Sequence, residues 1–132
     1  MSTHASISVK LKNDTMICFI DGSKEEFKKG CFLNIYCHHD GYTSHVGKML
    51  LTKFNNYDSA LTLIRHGDIS FINNDGTIGA YNNFGEDLCY VISENYVQHD
   101  NIYIYVYIDD TWYIEINGEL KVLTQELIDS DF

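Results

Sequence analysis

Residues 102–123 constrain the fold more than any other stretch of the chain. Ile102, Ile104, Val106 and Ile108 alternate with Tyr103, Tyr105 and Tyr107, the two-residue period of a β-strand. Asp109-Asp110 turns the chain, Thr111 to Ile116 returns as a strand, and Asn117-Gly118 is a type I′ hairpin signal. Glu119 to Leu123 pairs back, and Thr124 caps a final helical turn through Ile128. Sheet formation in this third is therefore written into the local pattern.

The earlier part mixes strand and helix periods. His4 to Leu11 alternates as a strand, Met16 to Ile20 is a second, and Asn13-Asp14 between them suits a turn, so the two are expected to pair. Ser23 to Lys29 is polar and reads as a loop or one helical turn. Cys31 to Cys37 reads as a buried strand, followed by a loop, His38 to Thr43. Ser44 is the expected N-cap of a helix to about Phe54, with Val46, Leu50 and Phe54 on one face. Asn55-Asn56 breaks it. Asp58 is the expected cap of a second helix with Ala60, Leu61 and Ile64 as its buried stripe, and Gly67 closes it. Between residues 72 and 101, Asn73-Asn74-Asp75-Gly76 and Asn82-Asn83-Phe84-Gly85 read as turns around short strands, chiefly Leu88 to Ile92. The expected fold is α+β: one domain over residues 1–132, a mainly antiparallel sheet, and a short two-helix hairpin packed on one face.

Charge is unevenly placed. The 132 residues carry a net charge of −10. Residues 1–66 hold eight Lys/Arg against six Asp/Glu, whereas residues 67–132 hold one Lys against thirteen acids. Direct nucleic-acid binding by the whole molecule is not expected, because phosphate neutralisation needs clustered cations. No apolar run approaches the ~20 residues that span a bilayer, and no basic-then-apolar leader opens the chain. Membrane association is not expected, and the expected compartment is the cytoplasm. Cys18, Cys31, Cys37 and Cys89 form no CxxC pair, so reduced and mostly buried thiols are expected.

The densest polar cluster is Tyr36-Cys37-His38-His39-Asp40-Gly41-Tyr42, followed by His45 and Lys48. Imidazole and thiolate suit zinc, but His38 and His39 point to opposite sides of an extended chain and no HxxxH pair brings two ligands together. A Cys37 nucleophile with His45 or His66 as base has no third group to orient it. Neither a metal, a cofactor nor a catalytic residue is assigned. The third chemistry is anion capture. A loop leading into a helix N-terminus at residues 44–47 favours phosphate, and Gly47 lets a ligand or a neighbouring strand approach the backbone. Lys48 and Arg65 add charge, and Tyr36 and Tyr42 offer faces for a base. The expected ligand-binding set is Tyr36, His38, His39, Asp40, Tyr42, His45, Lys48 and Arg65.

The opening Met-Ser-Thr-His-Ala-Ser-Ile, the Tyr36–Tyr42 run, His45-Val46-Gly47-Lys48-Met49-Leu50 and Gly67-Asp68-Ile69-Ser70 together resemble a family of small phage and prophage proteins. Tyr105-Val106-Tyr107, Trp112-Tyr113 and Leu120 to Thr124 resemble the same family's C-terminal hairpin. Its signature is similar to Tyr-Cys-His-Trp-Asp-Gly-Tyr-Pro. This chain has His39 in place of the tryptophan, Thr43 in place of the proline and His4 in place of an arginine. Asn82 to Glu86 replaces a stretch similar to Asp-Arg-Gly-Glu. The resemblance implies an anti-defence setting in a host cytoplasm, where a non-catalytic protein sequesters a nucleotide-derived immune signal. The expected partner is a nucleotide-like or other phosphate-bearing small molecule or a host defence protein, and a homodimer or higher homo-oligomer is the expected form of self-association. The alternative is an acidic, nucleic-acid-mimicking inhibitor of a host defence nuclease. A small metal- or thiol-dependent enzyme is a further alternative.

Overall fold

The computed structural model describes residues 3–80, 89–97 and 102–130. The first half contains β1 (Ala5–Lys10), β2 (Thr15–Cys18), β3 (Lys24–Phe27) and β4 (Phe32–Cys37). A π-helical turn over Thr43–Gly47 runs directly into α1 (Lys48–Lys53), and α2 (Tyr57–Ile64) follows. The second half contains β5 (Ile69–Ile72), β6 (Ile78–Ala80), β7 (Val91–Ser93), β8 (Tyr103–Ile108), β9 (Thr111–Ile116), β10 (Glu119–Val122) and α3 (Gln125–Asp129).

The main sheet has the order β10-β9-β8-β1-β4-β5-β6, with β7 also paired to β4. Pairing is mostly antiparallel; the exceptions are β1 with β8 and β4 with β5. The C-terminal meander forms as its turn residues require. Asp109, Asp110, Asn117 and Gly118 all take positive φ, at 48°, 66°, 52° and 83°. Thr124 accepts from the Leu127 N–H at 3.1 Å and caps α3, a third helix beyond the expected pair.

β1 does not pair with β2. Both its edges are taken by β4 and β8, which fix the register Ala5↔Cys37 and Ala5↔Tyr103. The Asn13-Asp14 turn instead leads into a separate ribbon of β2 and β3. Residues 23–29, expected as a loop or helical turn, thus contain a strand. Its charges conceal it: Lys24, Glu25 and Glu26 are exposed, and only Phe27 is buried. The ribbon is held by aromatic packing, with the Tyr90 ring stacked on Phe19 at 4.7 Å and edge-on to Phe27 at 5.8 Å.

Two helix starts also differ from expectation. The chain enters the first helical segment from Tyr42 in an extended conformation, with no side-chain cap from Ser44 or any other residue. Asn56, two residues before Asp58, caps α2 by accepting from the Ser59 N–H at 2.8 Å, and Ser59 completes the capping box. Its buried residues are Ala60, Leu63 and Ile64, with Leu61 only partly buried. The Gly67 N–H reaches the Ile64 carbonyl at 3.0 Å, at a φ of 67°. The Asn73–Gly76 turn is present, with the Asn73 N–H on Thr77 O at 2.8 Å. The expected turn at Asn82–Gly85 lies outside the described residues, as does the start of the Leu88–Ile92 strand.

Alternation sends both faces of the sheet into apolar surroundings. Ile7, Val9, Leu33, Ile35, Tyr105, Tyr107, Trp112 and Ile114 share a core with Val46, Leu50, Leu63 and Ile64. Phe32, Ile104 and Val106 form a smaller cluster with Tyr96, Ile102, Ile108 and Leu120 on the opposite face. Among the described residues, no helix is long and apolar enough to cross a membrane.

The opposite face is pinned by one buried amide. Asn34 is 3% exposed, and its Nδ2 donates to the carbonyls of Phe32 (3.1 Å) and Val91 (2.9 Å) and to Ser93 Oγ (2.9 Å). Its Oδ1 accepts from the Ser8 hydroxyl and from the Val97 N–H at 3.1 Å. Asn34→Ala strands several buried partners at once. It should lower stability by about 2–4 kcal/mol in urea unfolding; a loss within experimental error would show that β7 docks without it.

Candidate functional site

The Tyr36–Lys48 segment is shaped by two glycines and one tyrosine on a distant strand. After β4, His38 and His39 continue along β5, their N–H groups reaching Ile69 O at 3.0 Å and Ser70 O at 2.8 Å. Asp40 takes a φ of 57°, and Gly41 then lies flat against β1. A Cβ on Gly41 would sit 2.7 Å from the His4 carbonyl carbon, so no larger residue fits. The Gly41 N–H binds Thr3 O at 2.9 Å, and the Gly41 carbonyl accepts from the buried Tyr105 hydroxyl at 2.7 Å. The same hydroxyl accepts from the Gly47 N–H. The Lys48 N–H reaches back five residues to Thr43 O, which is the π-helical turn. Gly47 lies beside the Tyr105 ring, and a Cβ there would sit 3.5 Å from it, an ordinary contact.

This backbone path gathers four rings. His4 Nδ1 meets His38 O at 2.7 Å, and the His4 ring stacks on His38 at 4.8 Å and lies 5.5 Å from Tyr36. The Tyr36 hydroxyl and His38 Nδ1 are 2.9 Å apart, and His39 packs edge-on to His38 at 4.5 Å. Burial lowers the His38 pKa from its ordinary 6.5, and the neighbouring His39 and His4 lower it further. Asp68 completes the group, its carboxylate accepting from the Tyr36 N–H at 2.9 Å. Its pKa is raised by burial, an effect that the Tyr36 N–H opposes. Beside Tyr36 and Asp68 lies a cavity of about 110 Å³ bounded by Ser6, Asn34, Val91 and Val97.

His4 and Asp68 enter this cluster without having been expected there. Their only signals in sequence are the motifs in which they stand, the opening run and Gly67-Asp68-Ile69-Ser70. The remaining expected residues are arranged differently. Tyr42 is exposed, and its pKa is raised chiefly by the charge of Asp40. Its ring is 6.5 Å from His45, whose Nε2 bonds to Ile72 O at 2.5 Å and ties the turn to β5. Lys48 is exposed at the start of α1. Arg65 turns to the ribbon: its Nε–H donates to the Cys18 carbonyl, and its own carbonyl accepts from the Ile20 N–H. The described hydrogen bonds therefore place it with β2, not with the loop.

Among the described residues, no group of three His, Cys, Asp or Glu is arranged to hold a metal ion. Cys37 is fully buried, its thiol donates to His39 O at 3.4 Å, and burial pushes its pKa up to about 12. A thiolate nucleophile is not accessible there at neutral pH. The expectation of mostly buried thiols is corrected for the others: Cys18 and Cys89 are exposed and Cys31 is half-buried, because β2 and residue 89 lie at the surface.

Tyr105→Phe removes the oxygen that joins Gly41 to Gly47 and leaves both backbone groups buried without it. It should cost about 1–3 kcal/mol in urea unfolding and shift the amide resonances of residues 38–48; unchanged values for both would remove Tyr105 as the organiser. Comparison of the chain with protein-family models, with curated proteins and with solved structures gives no match in any of the three.

Proposed function

We propose that the chain is a phage-type, non-catalytic binding protein that captures a nucleotide-derived signal and withholds it from a host defence system. The observation that carries this reading is the ring cluster of His4, Tyr36, His38 and His39, fixed by backbone bonds on both sides. Stacked aromatic faces suit a base, and an imidazole such as His38 that gains a proton suits a phosphate. Capture without turnover also fits a neighbouring Cys37 thiol whose pKa burial pushes up to about 12, which keeps it protonated at neutral pH. The resemblance to phage proteins supplies the setting. A second copy of the chain closing over the half-exposed rings would complete the ligand's enclosure.

An acidic-inhibitor reading is favoured by one observation: Asp109, Asp110 and Glu119 are all exposed on the turns and edge of the C-terminal meander. Two of these three already pair with lysines, Asp110 with Lys12 and Glu119 with Lys121 at 3.1 Å. That pairing lowers their value as mimics of a phosphate backbone.

Calorimetric titration with cyclic dinucleotides and ADP-ribose derivatives tests capture. Tyr36→Ala should weaken a bound nucleotide by about tenfold or more, the loss of one stacking face. Affinity should rise as pH falls below 6.5, because the depressed His38 pKa means that an anion must draw a proton in. The free fold has the opposite sign, since a His with lowered pKa withdraws stability as pH falls below its unfolded value. No binding by any of these ligands to folded protein would overturn the reading. Retained host-enzyme inhibition after Tyr36→Ala, lost on reversing Asp109 and Asp110, would favour the acidic inhibitor.

A further inference from the structure

β1 has two functional ends. His4 adjoins its start, and from Ala5 to Lys10 the strand carries the chain roughly 17 Å away. At that far end a cleft of about 630 Å³ opens between the turn after β1, the Lys29-Gly30 turn before β4, and the Asp109-Asp110 turn between β8 and β9. We propose that this cleft is a second anion site, for the phosphates of a small oligophosphate, separate from the ring cluster.

Three arguments carry it. The first is charge: the chain has nine Lys/Arg and a net charge of −10, yet Lys10, Lys12 and Lys29 line this one cleft. Three lysines line it against two aspartates, a local excess of positive charge on an acidic protein, with the Asp14 carboxylate adjoining at the Lys29 N–H. The other lysines of the ribbon are not comparable, since Lys28 sits between Asp14 and Glu26 at 3.9 and 3.8 Å.

The second is preorganisation. The Lys12 ammonium lies 5.0 Å over the Tyr57 ring, and the Lys10 ammonium 5.9 Å over Phe32. Each long side chain has therefore lost much of its freedom before any ligand arrives, which removes part of the usual cost of binding. The Tyr57 hydroxyl also accepts from the Lys12 backbone N–H at 3.0 Å, and the Lys29 N–H is held by Asp14 at 2.9 Å. The backbones of Lys12 and Lys29 are thus fixed where these residues line the cleft. Among the described residues, no aromatic side chain lines the cleft, so it offers no face to a base. Phosphate charge is what it reads.

The third is an internal stand-in. Lys12 pairs with the Asp110 carboxylate, an anion carried by the protein itself on a turn of positive φ. A partly exposed pair of this kind opens cheaply, and a ligand bearing several charges outcompetes one carboxylate. Behind it, the buried Tyr107 hydroxyl has no hydrogen-bond partner of full geometry, although Asp110 stands close enough to push its pKa up after burial does. Tyr107 can donate to Asp110 once Lys12 turns to the ligand. Gly30, at φ +89° with nothing within 4 Å of a would-be Cβ, keeps the floor open.

Calorimetry of the full chain with sodium tripolyphosphate at low ionic strength tests the site, because this probe has phosphates and no base. Saturable binding that weakens steeply with added salt is expected. Lys29→Glu, whose side chain is exposed, should weaken it by about tenfold or more, whereas Asp110→Asn should tighten it by freeing Lys12. His38→Ala should leave it unchanged. Absence of binding at millimolar probe, wild-type affinity in a folded Lys29→Glu protein, or loss of binding in His38→Ala would each overturn the proposal.

Discussion

One phenolic oxygen holds the candidate site in shape. The Tyr105 hydroxyl donates to Gly41 O and accepts from the Gly47 N–H, so a single buried atom closes both ends of the loop and turn between them. It can do so only because Gly41 lies flush on β1, where a Cβ would meet the His4 backbone at 2.7 Å. Tyr105 stands on β8, which lies parallel to β1 at the register Ile7↔Tyr105. The C-terminal meander thus reaches across the sheet to organise a loop some sixty residues earlier. Burial keeps the phenol pKa well above 10, so the donor persists across any physiological pH.

What was legible in the sequence follows from periods and turns. The alternation of residues 102–108, the Asp109-Asp110 and Asn117-Gly118 turns, and the Thr124 cap are all decided within a few residues, and each stands in the structure. What was not legible depends on neighbours far along the chain. Nothing near Ala5 announces that Tyr103 will lie beside it, and strand pairing of that kind is set by which faces can be buried together. β3 was hidden because its charge hides a strand whose apolar contacts come from Phe27 and from Tyr90 on another segment.

The same division runs through the site. Tyr36, His38 and His39 are adjacent in sequence, and their concentration of rings is visible there. His4 and Asp68 arrive from neighbouring segments, one against the His38 carbonyl and one against the Tyr36 N–H. Counting charge by halves of the chain pointed cations at the loop, but sequence halves are not spatial halves. Lys10, Lys12 and Lys29 gather at the opposite end of β1, and Arg65 binds the ribbon. The rings near the loop therefore carry imidazole groups, whereas the cleft carries ammonium groups.

Those two kinds of group can work side by side. At physiological salt the screening length is about 8 Å, about half of the roughly 17 Å that β1 spans between them. Each site then answers to its immediate neighbours more than to the net charge of −10. β1 is paired along both edges, and sites that share no partner at this separation contribute nearly independently to binding free energy. On the proposed reading, the rings select for a flat face, while the cleft selects for multiple phosphates. An acidic protein can thus hold anions at two places without becoming a general polyanion binder, because each attraction is built from local geometry.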